Sequence, residues 1–257
     1  MRLKGKICIV TGAAGAGGIG EAIARRFIAE GATVFVSDIQ EGRAEEAAAA
    51  LGERAIAWRC DVTDSEQVDA LVAEALRRYG RLDVLVNNVG FTLPGFLAEL
   101  SNETWERVLS GCLNSTFYGM RAALKPMRAQ KSGSIINIGS AAGIAGAPGL
   151  GAYGAAKAGV INLTQTAALE NFKAGVRVNC ILPSAATKPL LAWYENHPDG
   201  QRARDAIYAY ARFGQPEEIA AAALFLASED AGYVNGVVLP VDGGVSSRVA
   251  CVEAKID

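Results

Sequence analysis

A doubly wound α/β domain, with a parallel sheet of about seven strands covered by helices on both faces, is predicted by two patterns in this chain. Short, continuously apolar segments alternate with helical ones from end to end, as strands buried on both faces require. Glycines cluster between Gly12 and Gly20, directly after the first apolar run and before a helix. That is the place where a backbone must approach something closely.

The elements follow in order. Ile7–Thr11 is an apolar run ending in glycines, and Glu21–Glu30 reads as a helix stopped by Gly31, which suits the C′ position. Thr33–Ser37 is a β-branched strand, Glu41–Leu51 an alanine-rich helix and Ala55–Cys60 a strand. Thr63 and Glu66 form a capping-box pattern. Val68, Leu71, Val72, Ala75, Leu76 and Tyr79 then share one helix face, and Gly80 ends it. Leu82–Val86 is a strand, Asn102–Met127 a long helix and Ser134–Ile138 a strand. Ala152–Ala174 is a helix apolar on nearly all sides, and Val176–Leu182 is a strand. Pro216–Ala227 is a helix begun by proline, and Val237–Val241 is the last strand. Without a repeat, linker or low-complexity tract, residues 1–257 read as one domain. The irregular segment 183–212 is the candidate cover for a substrate.

Composition narrows the function. The 257 residues are 51% hydrophobic with a net charge of −2. That excludes intrinsic disorder and lacks the basic excess of a nucleic-acid binder. The single histidine, His197, excludes the common catalytic zinc sets, so no metal is expected. Five cysteines without a C-x-x-C pair read as small core residues in a reducing compartment. Arg2, Lys4 and Lys6 precede Ile7–Val10, but that run is too short for a signal peptide, and no segment has the length of a membrane span. The expectation is a soluble, cytoplasmic protein without a membrane partner.

Two motifs carry chemistry. Gly15-Ala16-Gly17-Gly18-Ile19-Gly20 matches G-x-G-x-x-G between a strand and a helix, where a pyrophosphate sits at the positive helix N-terminus. Asp38 lies 18 residues after Gly20, at the end of the next strand. A carboxylate there holds a ribose 2′-hydroxyl and repels a 2′-phosphate, and no Arg or Lys lies in Ile39–Gly42 to offset it. The expected cofactor is NAD.

Tyr153 and Lys157, four residues apart on a predicted helix, share a face. An unpaired lysine in so apolar a helix is costly, hence purposeful. A phenol must be brought from a pKa of about 10 to about 7 to serve as a base near neutrality, worth about 4 kcal/mol. A nearby ammonium in a dry pocket, helped by an oxidised nicotinamide, supplies energy of that order.

Taken in order from Lys6 to Gly244, the chain resembles the short-chain dehydrogenase/reductase family in its Tyr-x-x-x-Lys branch. Thr11-Gly12 with Gly18-Ile19-Gly20 resembles the family's cofactor turn, and Asp61-Val62 the pair that meets the adenine. Asn87-Asn88-Val89-Gly90 resembles its Asn-Asn-Ala-Gly stretch. Asn114 falls where the family keeps an asparagine in the long helix, and Ser140 stands thirteen residues before Tyr153, like the catalytic serine. Pro183 and Thr187 resemble the nicotinamide-contacting segment, and Asp242-Gly243-Gly244 the closing motif.

The resemblance implies roles. Tyr153 would move the proton, Ser140 would hold the carbonyl oxygen, Lys157 would lower the phenol pKa and bind the nicotinamide ribose, and Asn114 would anchor a water leading from Lys157 to solvent. Asn88 and Gly90 would line the cofactor site. The turn departs from the family in a two-residue insertion within Ala13–Gly17. Enoyl reductases of the superfamily also lengthen it, but they space Tyr and Lys more widely, and position 160 here is Val.

The function expected is hydride transfer between NAD(H) and a secondary alcohol or ketone. Candidate pocket residues Phe91, Phe96, Leu97, Ile144, Leu150, Trp193 and Tyr194 favour an alicyclic, aromatic or steroid-like substrate. One alternative is a 3-ketoacyl-carrier-protein reductase, with Arg121, Lys125, Arg128 and Lys131 as a docking patch. The other is a non-catalytic dinucleotide sensor. The apolar surplus of Ala152–Ala174 points to a homo-oligomer, a tetramer or dimer.

Overall fold

A computed structural model of the chain describes residues 1–184, 187–202 and 212–247. Tyr210, Cys251 and the tail from 248 lie outside the described residues, as does the side chain of Trp193. The strands are β1 (Ile7–Thr11), β2 (Thr33–Asp38), β3 (Ala55–Arg59), β4 (Val84–Asn87), β5 (Gly133–Ile138), β6 (Val176–Pro183) and β7 (Val238–Val241). They form one sheet in the order β3-β2-β1-β4-β5-β6-β7. Every pairing is parallel.

The helices are α1 (Ile19–Ala29), α2 (Glu41–Leu51), α3 (Ser65–Tyr79), α4 (Asn102–Leu109), α5 (Ser115–Gln130), α6 (Gly151–Asn171), α7 (Lys188–Asn196) and α8 (Pro216–Ala227). Alternate strand residues feed two cores, since a strand's side chains point to opposite faces. Val10, Val36, Val86 and Ile136 pack with Phe27 of α1 and Leu224 of α8. Ile9, Phe35, Leu85 and Ile135 pack with Leu71 of α3, Met120 of α5 and Ala167 of α6. The predicted doubly wound class is the class observed.

The strand order turns back between β1 and β4, which opens a crevice at their carboxyl ends. Asn88 closes its floor. Its N–H donates to Thr11 Oγ1 at 3.1 Å, and its Nδ2 donates to the carbonyls of Thr11 and Gly12 at 3.0 and 3.1 Å.

Two local expectations are corrected. The cap of α3 is Asp64, whose carboxylate accepts from the N–H groups of Glu66 and Gln67. Thr63 instead donates to Asp61, at 2.7 Å from its hydroxyl. The helix Asn102–Met127 is not uniform: a π-turn, Ser110–Asn114, separates α4 from α5, which runs on to Gln130. The extra residue in that turn disturbs the carbonyl ladder. Ser115 and Thr116 compensate by donating to the carbonyls of Gly111 and Cys112, at 2.7 and 3.1 Å.

A buried amide chain fastens α6 to the sheet. Asn87 Nδ2 donates to Asn137 Oδ1 at 2.8 Å, Asn137 Nδ2 donates to Thr164 Oγ1 at 2.9 Å, and Thr164 donates to the Val160 carbonyl at 2.7 Å. Asn137→Ala orphans two buried partners. It should cost roughly 1–3 kcal/mol and lower Tm by about 2–4 °C per kcal/mol for a chain of this size. A thermal melt equal to wild type would mean that these bonds do not hold the helix.

Candidate active site

A cavity of about 790 Å³ joins the glycine turn to the centre of the molecule. Gly12, Gly18, Ile19, Gly20, Asn88, Gly90, Tyr153, Lys157, Pro183 and Thr187 line it, so ten of the residues expected from sequence meet in one space. They come from the carboxyl ends of β1, β4 and β6 and from α1 and α6, which is where an open parallel sheet binds ligands. Leu190 and Tyr194 of α7 form part of its wall with Phe213, and Tyr194 packs on Phe213 with ring centres 5.1 Å apart.

The glycine turn is a cradle. The inserted residues fold into a tight turn closed by the Gly18 N–H donating to the Gly15 carbonyl at 2.8 Å, with Gly17 at φ +72°. Gly18 caps α1 without any side-chain hydrogen bond, so the helix N-terminus keeps donors for an anion. A Cβ on Gly20 would stand 2.6 Å from both the Gly12 carbonyl and Asn88 Nδ2. Only glycine lets α1 close on β1 there.

At the other end of the cavity stand the proton-handling groups. The Ser140 hydroxyl accepts from the Ala142 N–H at 3.2 Å, and it acts on the Tyr153 phenol so as to lower its pKa. Lys157 is 2% exposed. Its Nζ donates to the Ile138 carbonyl at 2.7 Å and lies 5.7 Å from the centre of the Tyr153 ring. An ammonium has three donors, which leaves Lys157 with donors for a ligand in the cavity. Burial lowers the Lys157 pKa from its ordinary value. Burial also raises that of Tyr153, with the Ser140 hydrogen bond opposing it. Among the protein groups, burial is the largest influence on the phenol, and Ser140 is the one that lowers its pKa.

The remaining expected residues are placed as follows. Asp38 is half-buried at the end of β2, and its carboxylate accepts from the Gln40 N–H at 3.2 Å. The neighbouring strand reaches it through the Cys60 N–H, which donates to the Asp38 carbonyl at 2.8 Å. The Asp61 carboxylate is turned onto Thr63, and Val62 is buried in the core. Asn114 is exposed and is not among the residues that line the cavity. The residue of that π-turn on the inner side is Cys112. Among the expected substrate residues, Tyr194 lines the cavity, the Phe91 ring lies against Gly111, and Phe96, Leu97 and Ile144 are exposed. His197 is exposed and accepts from the Asp199 N–H.

Sequence reasoning passed over Cys112, Arg43 and Leu190. Arg43, in the first turn of α2, lines the cavity with Gly15 and Ala16. It sits one position beyond the stretch searched for cations after Asp38.

The class defined by this fold and site is a Rossmann-type α/β protein whose cleft joins a glycine turn to a Tyr–Lys pair. The family described as enoyl-(acyl carrier protein) reductase matches residues 12–246. The chain is similar to the 3-oxoacyl-[acyl-carrier-protein] reductase of Thermotoga maritima, 39% identical over 251 residues, covering 95% of this chain and 99% of the relative. It is similar to the cis-4-hydroxycyclohexanecarboxylate dehydrogenase of Sinomonas cyclohexanicum, 41% identical over 246 residues, covering 94% and 97%. The solved structure of a short chain dehydrogenase from Mycobacterium smegmatis matches with a TM-score of 0.80 at 38% identity, covering 93% of this chain and 92% of that one.

The chain belongs to the short-chain dehydrogenase/reductase family. It is an oxidoreductase of the alcohol and ketone class, and NAD(P) is the cofactor of the family. The uncapped helix end, the glycine cradle and the donors of Lys157 fit such a dinucleotide.

The Ser140 bond gives a test by pH. It lowers the Tyr153 pKa, so Ser140→Ala raises it, and alcohol oxidation, which needs the phenolate, moves to higher pH. A hydrogen bond to a charged group is worth about 1.5–3 kcal/mol, so the controlling pKa of kcat/KM should rise by about 1 unit or more. An unmoved pKa in the residual activity would mean that Ser140 does not tune the phenol.

Proposed function

We propose that the protein is an NAD-dependent alcohol dehydrogenase or ketone reductase acting on an apolar secondary alcohol, alicyclic, aromatic or steroid-like. One observation carries the reading: Tyr153 and the buried Lys157 line the same cavity as the glycine turn. A dinucleotide held by the glycine turn and Lys157 would supply the hydride acceptor for alcohol oxidation and the hydride donor for ketone reduction. Ser140 holds the substrate oxygen. Tyr153 takes its proton at the phenol oxygen in oxidation and gives it back in reduction. Lys157 orients the cofactor ribose and favours the phenolate. Ser140, Tyr153 and Lys157 kept together favour catalysis over a dinucleotide-sensing role.

The apolar preference is supported by Leu190, Tyr194 and Phe213 in the cavity wall and by the alicyclic substrate named for the Sinomonas relative. Segment 183–212, which includes α7, is the proposed substrate cover. The NAD preference is supported by Asp38, at the end of β2. A second reading, an NADPH-dependent 3-ketoacyl-carrier-protein reductase, is favoured by Arg43 at the glycine turn and by the Thermotoga relative. Of the proposed docking cations, Arg121 is engaged within the fold, stacking over Phe117 and Tyr118 and pairing with Asp69 at 3.6 Å. The oligomer is supported by apolar surface at the end of α6, where Leu169 is 84% and neighbouring Tyr233 92% exposed.

Reduced-cofactor absorbance, followed with NAD or NADP and a panel of cyclic and aromatic alcohols, tests the reading. NADH should exceed NADPH in kcat/KM, and Asp38→Ala should narrow the gap. A wild type that prefers NADPH overturns the cofactor assignment and favours the second reading. Tyr153→Phe should reduce turnover by at least 10²–10⁴-fold, the usual worth of a positioned acid–base group, with NADH binding nearly intact. Near-normal turnover would remove Tyr153 from the chemistry. Light scattering should give a dimer or tetramer; a monomer at all concentrations overturns the assembly.

A further inference from the structure

We infer that Cys112 is a positioning residue for the Tyr153–Lys157 pair: its thiol grips both backbone groups of Phe91 and so fixes the edge against which the Lys157 ammonium lies. The inference rests on the proposed roles of Tyr153 and Lys157.

The grip is direct. Cys112 is fully buried within the π-turn. Its Sγ accepts from the Phe91 N–H at 3.4 Å and donates to the Phe91 carbonyl at 3.3 Å. A thiol has one donor and a weak acceptor, and both are used on a single residue. The neighbouring Gly111 makes room for the same residue: a Cβ there would stand 2.3 Å from the Phe91 ring. The π-turn thus holds Phe91 by its ring through one residue and by its backbone through the next.

The edge so fixed bears on the proton-handling groups. A Cβ on Gly90 would stand 3.0 Å from Lys157 Nζ and 3.8 Å from Cys112 Sγ. The ammonium and the sulfur therefore converge on the bare backbone of Gly90. Asn114, at the end of the same turn, is exposed. Cys112 touches neither substrate nor cofactor in this account. It acts by keeping Gly90 and Phe91 where the ammonium has one position rather than several.

The test compares Cys112→Val, which keeps the shape and removes both hydrogen bonds, with Cys112→Asn, whose amide restores a donor and an acceptor. Each is assayed for kcat, alcohol KM, the pH profile and Tm. Wild-type turnover, with its loss in Tyr153→Phe, tests the underlying reading separately. The valine variant should lose roughly 10-fold or more in kcat, the scale expected when a catalytic group is misplaced by a fraction of an ångström. Its alcohol KM should stay near wild type, and its controlling pKa should rise as the ammonium loosens. The asparagine variant should recover most of the kcat and the wild-type pKa. If the valine variant does not fold, Cys112→Ser takes its place; its short hydroxyl spans the gap poorly, so it should fall between wild type and the expected valine loss. Two results would overturn the inference: a valine or serine variant with wild-type kcat and pH profile, or an asparagine variant as impaired as the one it is meant to rescue.

Discussion

An ammonium held out of water is the constraint on which the site depends. Lys157 is buried among apolar residues of α6 with one carbonyl, that of Ile138, as its acceptor among the described residues. Desolvating a charge with so little compensation is costly, and burial accordingly lowers the Lys157 pKa. The surrounding chain makes the position tolerable by geometry rather than by an opposite charge. β5 ends where its last carbonyl meets Nζ, and Gly90 withholds a side chain that would occupy the ammonium's space. The Asn87–Asn137–Thr164 bonds keep α6 from withdrawing. A carboxylate beside Nζ would be the cheaper solution for stability, but it would neutralise the field that the phenol needs.

The two buried groups are biased in opposite directions by the same desolvation. Burial favours the neutral form of each, so Tyr153 is pushed toward phenol and Lys157 toward amine. Ser140 is the protein group that opposes this at the phenol. The pocket that strengthens the attraction between ammonium and phenolate also penalises both charges, which is why the expected tuning joins Lys157 to the oxidised nicotinamide.

The parts legible in the sequence were those set by periodicity and by rare residue pairs. Uninterrupted apolar strands specified a parallel sheet, and the glycine turn with Tyr153 and Lys157 specified the crevice. What escaped was what a regular helix period cannot express. Counting along a straight helix advances about 100° per residue, and the π-turn Ser110–Asn114 breaks that count. Asn114, placed by the family resemblance, stands exposed at the end of that turn, and Cys112 is buried within it. The cap of α3 escaped for a simpler reason: Thr63 and Asp64 both suit the role, and the competing bond from Thr63 to Asp61 decides between them. Arg43 escaped because the first turn of α2 carries it back toward the glycine turn, a return that linear distance from Asp38 does not convey.

The insertion in the glycine turn shows how a local addition leaves a distant geometry intact. The Gly18-to-Gly15 bond closes the extra residues into their own turn, so the contact of Gly20 with Gly12 and Asn88 is unaffected. The addition does change the electrostatics of the helix end. Glu21, in the first turn of α1, accepts from the Gly17 N–H at 2.7 Å. A carboxylate there competes with a phosphate for the same positive terminus. Arg25 pairs with Glu21 one turn along the helix, and Arg43 faces the turn across the cavity. One acid stabilises the lengthened turn, and two cations keep the cradle attractive to an anion. The insertion, Glu21 and the two arginines are therefore best regarded as a single device rather than as separate departures from the family pattern.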